Sequence, residues 1–466
     1  MKAILILFLT ALVVLFAGLS GRRGTLRGIA LGGVLLALGS LLWDMTQADA
    51  LGWNTRFAGM FVFDGYALAF GSVILLTLAL VVGLSGWGFR QLHDTLGDNY
   101  GLLLFSTCGA LVMVSFTNLT MLFLGIEILS IPLYVLAGSR RDEPASNEAA
   151  LKYFLMGAFA TGILLYGFAL IYGATGSFDL SAIAEQVGAL SESRNMLHIG
   201  ILMVIIGLGF KISAVPFHFW APDVYSGSPT MVTAIMATVV KTAGFAAFYR
   251  LFDTAFGGAA DFWGLPLSAI AALTMTLANT TAIFQQDFKR MMAYSSIAHA
   301  GYLLMGILAI GSAAAEGGQA ILYYALVYSI ATVAAFAVYM LAAEQNQDGT
   351  FAAFRGLGKK QPALAALMAV SMLTLAGIPP TAGFFGKYFL FVSVFERYPW
   401  LVVLAVINSA VSIYYYFKVI IEMYFTREEN VYTVQTPAGY QWPVWLGLLI
   451  LVGLTVWPEQ VLAFMF

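Results

Sequence analysis

Charged side chains are scarce in this sequence. Only 10% of its 466 residues are Asp, Glu, Lys or Arg, whereas soluble domains carry roughly a quarter. Hydrophobic residues make up 61% of the chain, and the net charge is only −2. This composition excludes a soluble protein, and the scattered basic residues do not form the patch that a nucleic acid requires. The sequence therefore predicts an integral membrane protein without a nucleic-acid partner.

Cysteine and histidine are also rare. Cys108 is the only cysteine, which excludes a disulfide framework and a cluster of four thiolates holding iron and sulfur within this chain. The histidines, His93, His198, His218 and His299, are not spaced as ligand pairs on one helix face, so haem and zinc lack ligands. We therefore expect no cofactor and no metal in this chain.

Long apolar runs fill most of the sequence. Crossing a hydrocarbon core of about 30 Å takes roughly 20 helical residues, and about fourteen such runs follow one another. The runs do not alternate in polarity, which excludes a transmembrane barrel. The sequence thus predicts an all-α polytopic membrane protein with a single membrane domain over 1–466. The predicted spans are 2–19, 27–43, 65–85, 101–117, 119–138, 151–175, 198–215, 230–252, 264–284, 290–312, 318–342, 363–395, 400–425 and 441–465.

The basic residues of the connecting loops indicate the orientation. The first run is similar to a signal peptide, but Arg22, Arg23 and Arg27 after it outweigh Lys2 before it, which favours a retained helix with its N-terminus outside. Alternating sides from there places twelve of the 22 basic residues in cytoplasmic loops and five outside, as the positive-inside rule requires, and the C-terminus also lies outside. The cytoplasmic set is Arg22, Arg23, Arg27, Arg90, Arg140, Arg141, Lys289, Arg290, Arg355, Lys359, Lys360 and Arg427. The outer set is Lys2, Arg56, Arg194, Arg250 and Arg397.

Proline interrupts two of the predicted spans. Near the seventh, directly after 198–215, Pro216 and Pro222 stand where a helix should run on, and each lacks a backbone donor. The twelfth contains Pro379 and Pro380 in an apolar run of about 30 residues, too long for one straight span. Paired breaks in matching positions of two halves are typical of an inverted-repeat transporter. We expect two inverted five-helix repeats, helices four to eight over 101–253 and helices nine to thirteen over 264–425.

The other five lysines fall within predicted helices. A lysine at the centre of a membrane helix costs roughly 2.5–3.5 kcal/mol on insertion scales, so several of them are not expected without a function. Lys152 and Lys418 lie near cytoplasmic helix ends, where a long side chain reaches the interface, and Lys418 has Glu422 one turn away as a helical partner. The three in mid-span or beside a break, which favours a functional role, are Lys211, Lys241 and Lys387.

Glu127 is the only carboxylate that the sequence places deep within a span. Pairing with Lys211 would stabilise both charged forms. Separation of the two would deprive Lys211 of its anion and favour proton transfer toward Lys241 or Lys387. His299, whose imidazole protonates near neutral pH, either bridges this distance or is satisfied by a neighbouring hydroxyl. The pattern predicts a proton relay.

At these positions the sequence resembles the antiporter-like membrane subunits of respiratory complex I. Phe-Leu-Gly-Ile-Glu127-Ile-Leu-Ser is similar to the fifth-helix glutamate motif, and Val-Val-Lys241-Thr is similar to the eighth-helix lysine motif. The stretch from Gly-Phe-Lys211 to Pro-Asp-Val-Tyr resembles the broken seventh helix, and Pro-Pro-Thr-Ala-Gly-Phe-Phe-Gly-Lys387 resembles the broken twelfth. Residues 287–299 fit the start of the tenth helix. The resemblance spans helices four to thirteen and is strongest to the N subunits, because the middle of the three subunits has glutamate in place of Lys387.

The resemblance implies a fold of fourteen helices in two inverted repeats, and proton pumping driven by quinone reduction in other subunits. It also implies a role for each buried group. Glu127 would modulate Lys211, and Lys241 would be the central relay. His299 would be a connector, Lys387 the donor on the exit side, and Lys152 an accessory group on the intake side.

Further implications concern the complex around the chain. The chain would be a subunit of a proton-translocating NADH:quinone oxidoreductase without a redox centre of its own, while partner subunits bind NAD, FMN, iron–sulfur clusters and quinone. The expected partners are other membrane subunits of complex I, the lateral helix of the largest antiporter-like subunit, and lipid, in the bacterial inner membrane. Two alternatives stay open: a subunit of a multi-subunit cation/proton antiporter, which shares these motifs, and a structural subunit whose charges lock helices together.

Overall fold

The computed structural model describes residues 1–20, 23–46, 56–57, 59–88, 95–187, 194–311, 317–346, 348–426 and 441–460. In this part of the chain α-helices dominate, and β1 (Arg56–Phe57) and β2 (Phe61–Val62) form a small antiparallel ribbon. Short 3-10 helices cover Gly257–Ala259 and Phe351–Phe354. The α-helices are α1 (Lys2–Leu19), α2 (Arg23–Thr46), α3 (Gly65–Gly88), α4 (Leu96–Ser115), α5 (Leu119–Ala137), α6 (Pro144–Thr175), α7 (Leu180–Val187), α8 (Arg194–Lys211), α9 (Trp220–Gly227), α10 (Thr230–Ala237), α11 (Val239–Thr254), α12 (Ala260–Ile283), α13 (Phe288–Leu308), α14 (Gly317–Asn346), α15 (Leu357–Lys360), α16 (Pro362–Ala376), α17 (Ala382–Val394), α18 (Pro399–Tyr424) and α19 (Gln441–Val456).

Each of the fourteen predicted spans corresponds to one helix or one pair of helices. Within the described ranges, twelve segments are long and apolar enough to cross a membrane, and α16, α17 and α19 are shorter apolar helices. The seventh span corresponds to α8, and α9 follows beyond the break at its end, while the eighth consists of α10 and α11 and the twelfth of α16 and α17. The prediction of an all-α polytopic membrane protein is thereby confirmed. The repeat boundaries at 101–253 and 264–425 stay a prediction.

The break in the seventh span follows Lys211 directly. Ser213 has a φ of 62°, in the left-handed region that residues other than glycine rarely adopt. Pro216 lies in the irregular segment, whereas Pro222 lies in the first turn of α9, where its missing N–H needs no intrahelical partner. Of the two prolines predicted to interrupt this span, only Pro216 does so.

The break in the twelfth span combines a glycine with two prolines. α16 ends at Ala376, and Gly377 takes a φ of 76°, the left-handed conformation that suits glycine at a helix C-terminus. Pro379 and Pro380 follow, and α17 begins at Ala382. The predicted interruption of this span is confirmed.

A third break lies in the eighth span, where the sequence predicts a continuous helix over 230–252. Thr238 separates α10 from α11 with φ −116° and ψ −74°, and its hydroxyl donates to the carbonyl of Ala234 at 2.6 Å. Lys241 stands three residues beyond this point. Thr238 has neither proline nor glycine beside it, so the usual sequence signals of an interruption are missing.

Burial divides the helices into two groups. α10, α11, α13 and α14 are almost entirely enclosed by other helices. Helices α1, α2, α6 and α18 instead expose large apolar side chains, among them Phe16, Trp43, Phe159 and Tyr414. Lipid tails are as apolar as these side chains, so their exposure costs little in a membrane. Lys241 lies on one of the enclosed helices, α11, and His299 lies on another, α13.

Six basic residues that the sequence assigns to cytoplasmic loops belong to helices instead, among them Arg27 and Lys289. α2 begins four residues earlier than predicted, so Arg27 lies within it and its guanidinium donates to the carbonyl of Gly83. Lys289 lies in the first turn of α13 and is buried. The side chains of Arg27 and Lys289 donate to backbone carbonyls, and such contacts cannot be inferred from a count of basic residues in loops. Of the residues named above, those outside the described residues are Arg22, Arg90, His93 and Arg427.

Candidate functional site

Three lysines lie deep within the helices. The exposed fractions of Lys211, Lys241 and Lys387 are 5%, 2% and 4%. At this burial the ammonium cannot reach an aqueous interface, as a snorkelling lysine does. The prediction that these three side chains are held inside the protein is confirmed, and the acceptor of each ammonium comes from the protein interior.

Lys211 is the last residue of α8, and its Nζ donates to Oγ of Ser130 on α5 at 2.6 Å. The Ser130 hydroxyl in turn donates to the carbonyl of Ile126 in its own helix. A serine hydroxyl both donates and accepts, and it rotates to suit its partner. The first lysine is therefore held by a neutral, adjustable group.

Glu127 does not form the direct pair with Lys211 that the sequence suggests. It lies one helical turn before Ser130 and is half-buried. Among the described residues it makes no ion pair within 4 Å, although it is near enough to interact electrostatically with Lys211. The two charges therefore stand apart here, with the Ser130 hydroxyl as the contact that replaces a salt bridge.

Lys241 lies in the first turn of α11, directly after the break at Thr238. Its Nζ donates to the backbone carbonyl of Ser296 on α13 at 2.5 Å. Among the described residues, the buried hydroxyls of Ser296, Tyr225 and Tyr328 form no hydrogen bond of normal distance and angle, although both tyrosine hydroxyls lie close enough to Ser296 to interact with it. Three helices, α9, α13 and α14, thus direct polar groups toward the surroundings of Lys241.

His299 lies one turn beyond Ser296 on the same helix. Its Nδ1 is 2.6 Å from the hydroxyl of Tyr324, and its Nε2 is 3.0 Å from the hydroxyl of Tyr416. Tyr416 also lies 2.5 Å from Oγ of Ser295. Because a tyrosine hydroxyl donates or accepts, these contacts fit either neutral tautomer of the imidazole. The hydroxyls that satisfy His299 come from α14 and α18, not from its own helix.

Lys387 reaches back across the break of the twelfth span. Its Nζ donates to the carbonyl of Ala376, the last residue of α16, at 2.9 Å. A cation at this position also faces the negative end of the helix dipole. The same ammonium lies 4.7 Å from the centre of the Tyr302 ring, within the range of a cation–π contact. Lys387 is thus held by backbone and an aromatic face.

A buried amide links the surroundings of Lys387 to α18. Asn279 on α12 donates through Nδ2 to the Tyr302 hydroxyl at 3.3 Å, and its Oδ1 accepts from Tyr415 at 2.9 Å. Asn408 of α18 completes the group with a contact of 3.4 Å to Asn279. A buried polar network of this kind fixes the rotamers of its members.

Lys152 differs from the three deep lysines because acidic groups surround it. Its Nζ pairs with Glu148 at 2.6 Å and with Asp223 at 2.7 Å, and its side chain is 37% exposed. Asp223, at the start of α9, also pairs with Arg290 of α13 at 2.8 Å. Lys152 therefore belongs to a cluster of charges at the ends of helices.

The prediction that Lys418 pairs with Glu422, one turn away on the same helix, is wrong. Lys418 donates to the carbonyl of Gln285 at 3.2 Å and lies 4.5 Å from the centre of the Phe351 ring. Glu422 instead pairs with Arg355 at 2.9 Å. Long-range partners override the spacing of one turn that favours a pair on an isolated helix.

Comparison with known proteins gives these groups a context. A family profile described as NADH:quinone oxidoreductase/Mrp antiporter, transmembrane, matches residues 116–412, more than half of the chain. The chain belongs to this family. All the predicted proton-transfer residues lie within the matched range, namely Glu127, Lys152, Lys211, Lys241, His299 and Lys387.

Individual relatives agree with the family profile. The NADH-quinone oxidoreductase subunit N of Cytophaga hutchinsonii is 44% identical over 404 residues, which cover 85% of this chain and 86% of the relative. A chain of respiratory complex I from Thermus thermophilus with bound aureothin superposes with a TM-score of 0.83 at 36% identity, covering 99% of this chain and 98% of that chain. A chain of the Mrp complex from Dietzia has a TM-score of 0.80 at 20% identity, covering 100% of this chain and 96% of that chain, a likeness of fold alone. The resemblance to the antiporter-like membrane subunits of complex I is confirmed.

Sequence reasoning missed most of the groups that hold the predicted residues. Ser130, Tyr302, Tyr324 and Tyr416 are ordinary residues in an apolar helix, and only the structure brings them to their partners. Ser130 alone had a usable signal, because it lies three residues after Glu127 and hence on the same helix face. The other three come from distant parts of the chain.

Proposed function

We propose that this chain is a proton-translocating membrane subunit of an NADH:quinone oxidoreductase of the complex I type. It moves protons across the membrane through its buried lysines, Glu127 and His299, and the driving force comes from quinone reduction in other subunits. As a subunit of a translocase, it has no redox centre of its own. NAD, FMN, iron–sulfur clusters and quinone belong to partner subunits.

The observation that carries the proposal is the chemistry of the three acceptors. Lys211 faces a hydroxyl, while Lys241 and Lys387 face backbone carbonyls. A carboxylate partner would favour only the charged lysine, and its loss would leave a costly uncompensated charge. A neutral oxygen instead accepts from an ammonium and from a neutral amine alike. The three sites therefore suit groups that alternate between the two protonation states.

The order of the groups supports a path through the interior. Lys152 stands on the intake side and Glu127 acts on Lys211. Lys241 and His299 are joined through α13, where Ser296 and His299 are one turn apart. The hydroxyls of Ser296, Tyr225 and Tyr328, which form no hydrogen bond of normal length among the described residues, support water as the carrier between fixed groups, since buried polar groups are normally satisfied by protein or by water. Lys387 follows as the donor on the exit side.

The proposal extends to the surroundings of the chain. Its partners are other membrane subunits of the complex, the lateral helix of the largest antiporter-like subunit, and lipid. It resides in a bacterial inner membrane with both termini on the outer side. The apolar faces of α1, α2, α6 and α18 are suited to contact with lipid or with neighbouring membrane subunits.

The test measures proton pumping and quinone reduction together in membrane vesicles. Lys241→Met should leave the complex assembled, and it should reduce the pH gradient formed per assembled complex by about tenfold or more, because methionine fills the space but carries no proton. The matched control is Lys359→Met, which changes an exposed lysine of α15. Normal pumping by Lys241→Met would contradict the proposal.

The same family also includes subunits of cation/proton antiporters. The family profile covers Mrp antiporters as well, so a subunit of a multi-subunit cation/proton antiporter is the alternative. Proteins that co-purify with the chain in mild detergent separate the two: flavin and iron–sulfur subunits support the oxidoreductase, and their absence together with sodium-dependent proton exchange in vesicles supports the antiporter.

A further inference from the structure

Lys289 makes a contact that the proposed path does not include. Its ammonium, in the first turn of α13, donates to the carbonyl of Ser226 at 3.0 Å and to the carbonyl of Ser228 at 2.5 Å. These carbonyls lie at the C-terminal end of α9, where intrahelical donors run out. Lys289 is only 6% exposed. A cation in this place both satisfies the free carbonyls and faces the negative end of the helix dipole.

The next residue of α13 holds the other end of the same helix. Nη1 of Arg290 lies 2.8 Å from Oδ1 of Asp223, in the first turn of α9. Two consecutive residues of α13 thus contact both ends of α9. We call this arrangement the α13–α9 clamp, and its members are Lys289, Arg290, Asp223 and the carbonyls of Ser226 and Ser228.

α9 needs such support because it is short. It has eight residues, and isolated helices below about 12–15 residues are marginal even for favourable sequences. The break after Lys211 also deprives α9 of continuity with α8. Its position is therefore set by its neighbours, of which α6 and α13 supply the charged contacts.

The helix whose first turn carries Lys289 and Arg290, α13, also carries Ser296, which contacts Lys241, and His299. Ser296 lies seven residues after Lys289 on α13, two turns or about 10 Å along the axis, and its carbonyl accepts from Lys241. His299 is one turn further. The side chain of Asp287 accepts from the backbone N–H of Arg290 at 2.7 Å and so fixes the first turn. A shift of α9 against α13 would therefore displace Tyr225 relative to Ser296 and Lys241.

We infer that Lys289 is a positioning residue for proton transfer, which holds α9 of the first half against α13 of the second so that the groups around Lys241 keep their register. This inference rests on the proposed function and adds to it a residue outside the path. A buried ammonium is a costly way to end a helix, which glycine or asparagine ends without charge. Unlike glycine or asparagine at the helix end, a lysine on α13 also joins α13 to α9.

The experiment compares three variants of the whole complex in membrane vesicles. Lys289→Met keeps the length of the side chain and removes its donors, whereas Lys289→Arg keeps the charge and the donors. We expect Lys289→Met to assemble and to pump about tenfold fewer protons per NADH oxidised, because misplacing reacting groups by about 1 Å costs up to about 10²-fold. Lys289→Arg should recover at least about half of the wild-type ratio. Lys359→Met, the exposed control, should match the wild type.

A double variant separates positioning from plain destabilisation. If Lys289 acts through α13, its effect on the pumping ratio should be strongly non-additive with that of His299→Gln, while assembly should show no such coupling. Should Lys289→Met fail to assemble, Lys289→Gln, which keeps two donors without charge, takes its place, and we expect it to pump fewer protons per NADH oxidised than Lys289→Arg. A wild-type pumping ratio in the assembled variant, or arginine no better than methionine, would overturn the inference.

Lys241→Met measured alongside distinguishes the two proposals. Loss of pumping in Lys241→Met with a normal ratio in Lys289→Met refutes the clamp alone. Normal pumping in both variants refutes the proposed function itself.

Discussion

The two proline-containing breaks hold their lysines in opposite ways. Lys211 precedes its break and takes its acceptor, the Ser130 hydroxyl, from another helix. Lys387 follows its break and takes its acceptor, the Ala376 carbonyl, from the other half of the same interrupted span. A carboxylate stands near the first lysine, whereas an aromatic ring lies against the second.

This difference separates an adjustable site from a fixed one. A hydroxyl rotates about its own bond, so the contact between Lys211 and Ser130 can be made and broken without a change of the backbone. The carbonyl of Ala376 is fixed by the end of α16, and the Tyr302 ring is held by the network of Asn279. Control is therefore expected at Lys211, and reliable proton release at Lys387.

The largest effect is expected at the fixed site. Arginine stays protonated, with a reference pKa above about 12, so Lys387→Arg keeps the charge but cannot release a proton. We expect this variant to assemble and to lose pumping by about tenfold or more, while Lys387→His and Lys387→Glu, which can gain and lose a proton, retain more. The measurement is pumping per assembled complex. If arginine is instead the best-tolerated replacement and glutamate the worst, Lys387 is structural.

The next effect tests the carboxylate at the adjustable site. Glu127→Gln removes the charge that acts on Lys211 without removing a direct contact, so assembly should be unaffected and pumping should fall by roughly fivefold, with Glu127→Asp milder. Quinone reductase activity and the pH gradient are recorded in the same vesicles. Glu185→Gln, which changes an exposed carboxylate of α7, is the control. Wild-type values in both assays for Glu127→Gln would remove Glu127 from the mechanism.

A smaller effect is expected from removing the Ser130 hydroxyl, which contacts Lys211. Ser130→Ala removes the acceptor of the Lys211 ammonium, and hydrogen bonds to charged groups contribute about 1.5–3 kcal/mol. Water can replace part of this contact, so pumping should fall only about threefold. Ser371→Ala is the control, because Ser371 is equally buried and its hydroxyl donates to the carbonyl of Leu367 in its own helix. Equal effects of the two substitutions would mean that Ser130 has no special part.

The smallest effect separates the ring of Tyr302 from its hydroxyl. Tyr302→Phe keeps the aromatic face under Lys387 and loses the contact with Asn279, so pumping should remain close to the wild type. Tyr302→Leu also loses the cation–π contact, worth about 0.5–2 kcal/mol, and should lower pumping about twofold. Both are assayed per assembled complex. A phenylalanine variant as impaired as the leucine variant would assign the effect to the hydroxyl network.

What the sequence could predict were features with a local physical cause. A lysine in mid-span is conspicuous because its desolvation cost is set by the apolar residues around it, which is why Lys211, Lys241 and Lys387 are found without a structure. The breaks at Pro216 and Gly377 are equally local, since proline and glycine act through their own backbone. Helix number follows from the length of apolar runs for the same reason.

What the sequence could not predict depends on contacts between distant residues. The break at Thr238 has no proline or glycine, and the acceptors of the lysines come from other helices or from the backbone. The positive-inside rule places Lys289 in a loop, yet its side chain is buried against carbonyls at the end of α9. Partners of this kind are fixed only when the helices pack.

The backbone acceptors of Lys241 and Lys387 have a consequence for how this machinery can change. A carbonyl oxygen is the same atom in all twenty amino acids, so replacing Ser296 or Ala376 leaves the acceptor in place. Alanine scanning therefore does not detect the acceptor of either contact. Exchange of the side chain at Ser296 or Ala376 likewise leaves the acceptor unchanged during evolution. On the acceptor side of these two contacts, only the path of the main chain can be altered by mutation, so adaptation there must act on helix geometry.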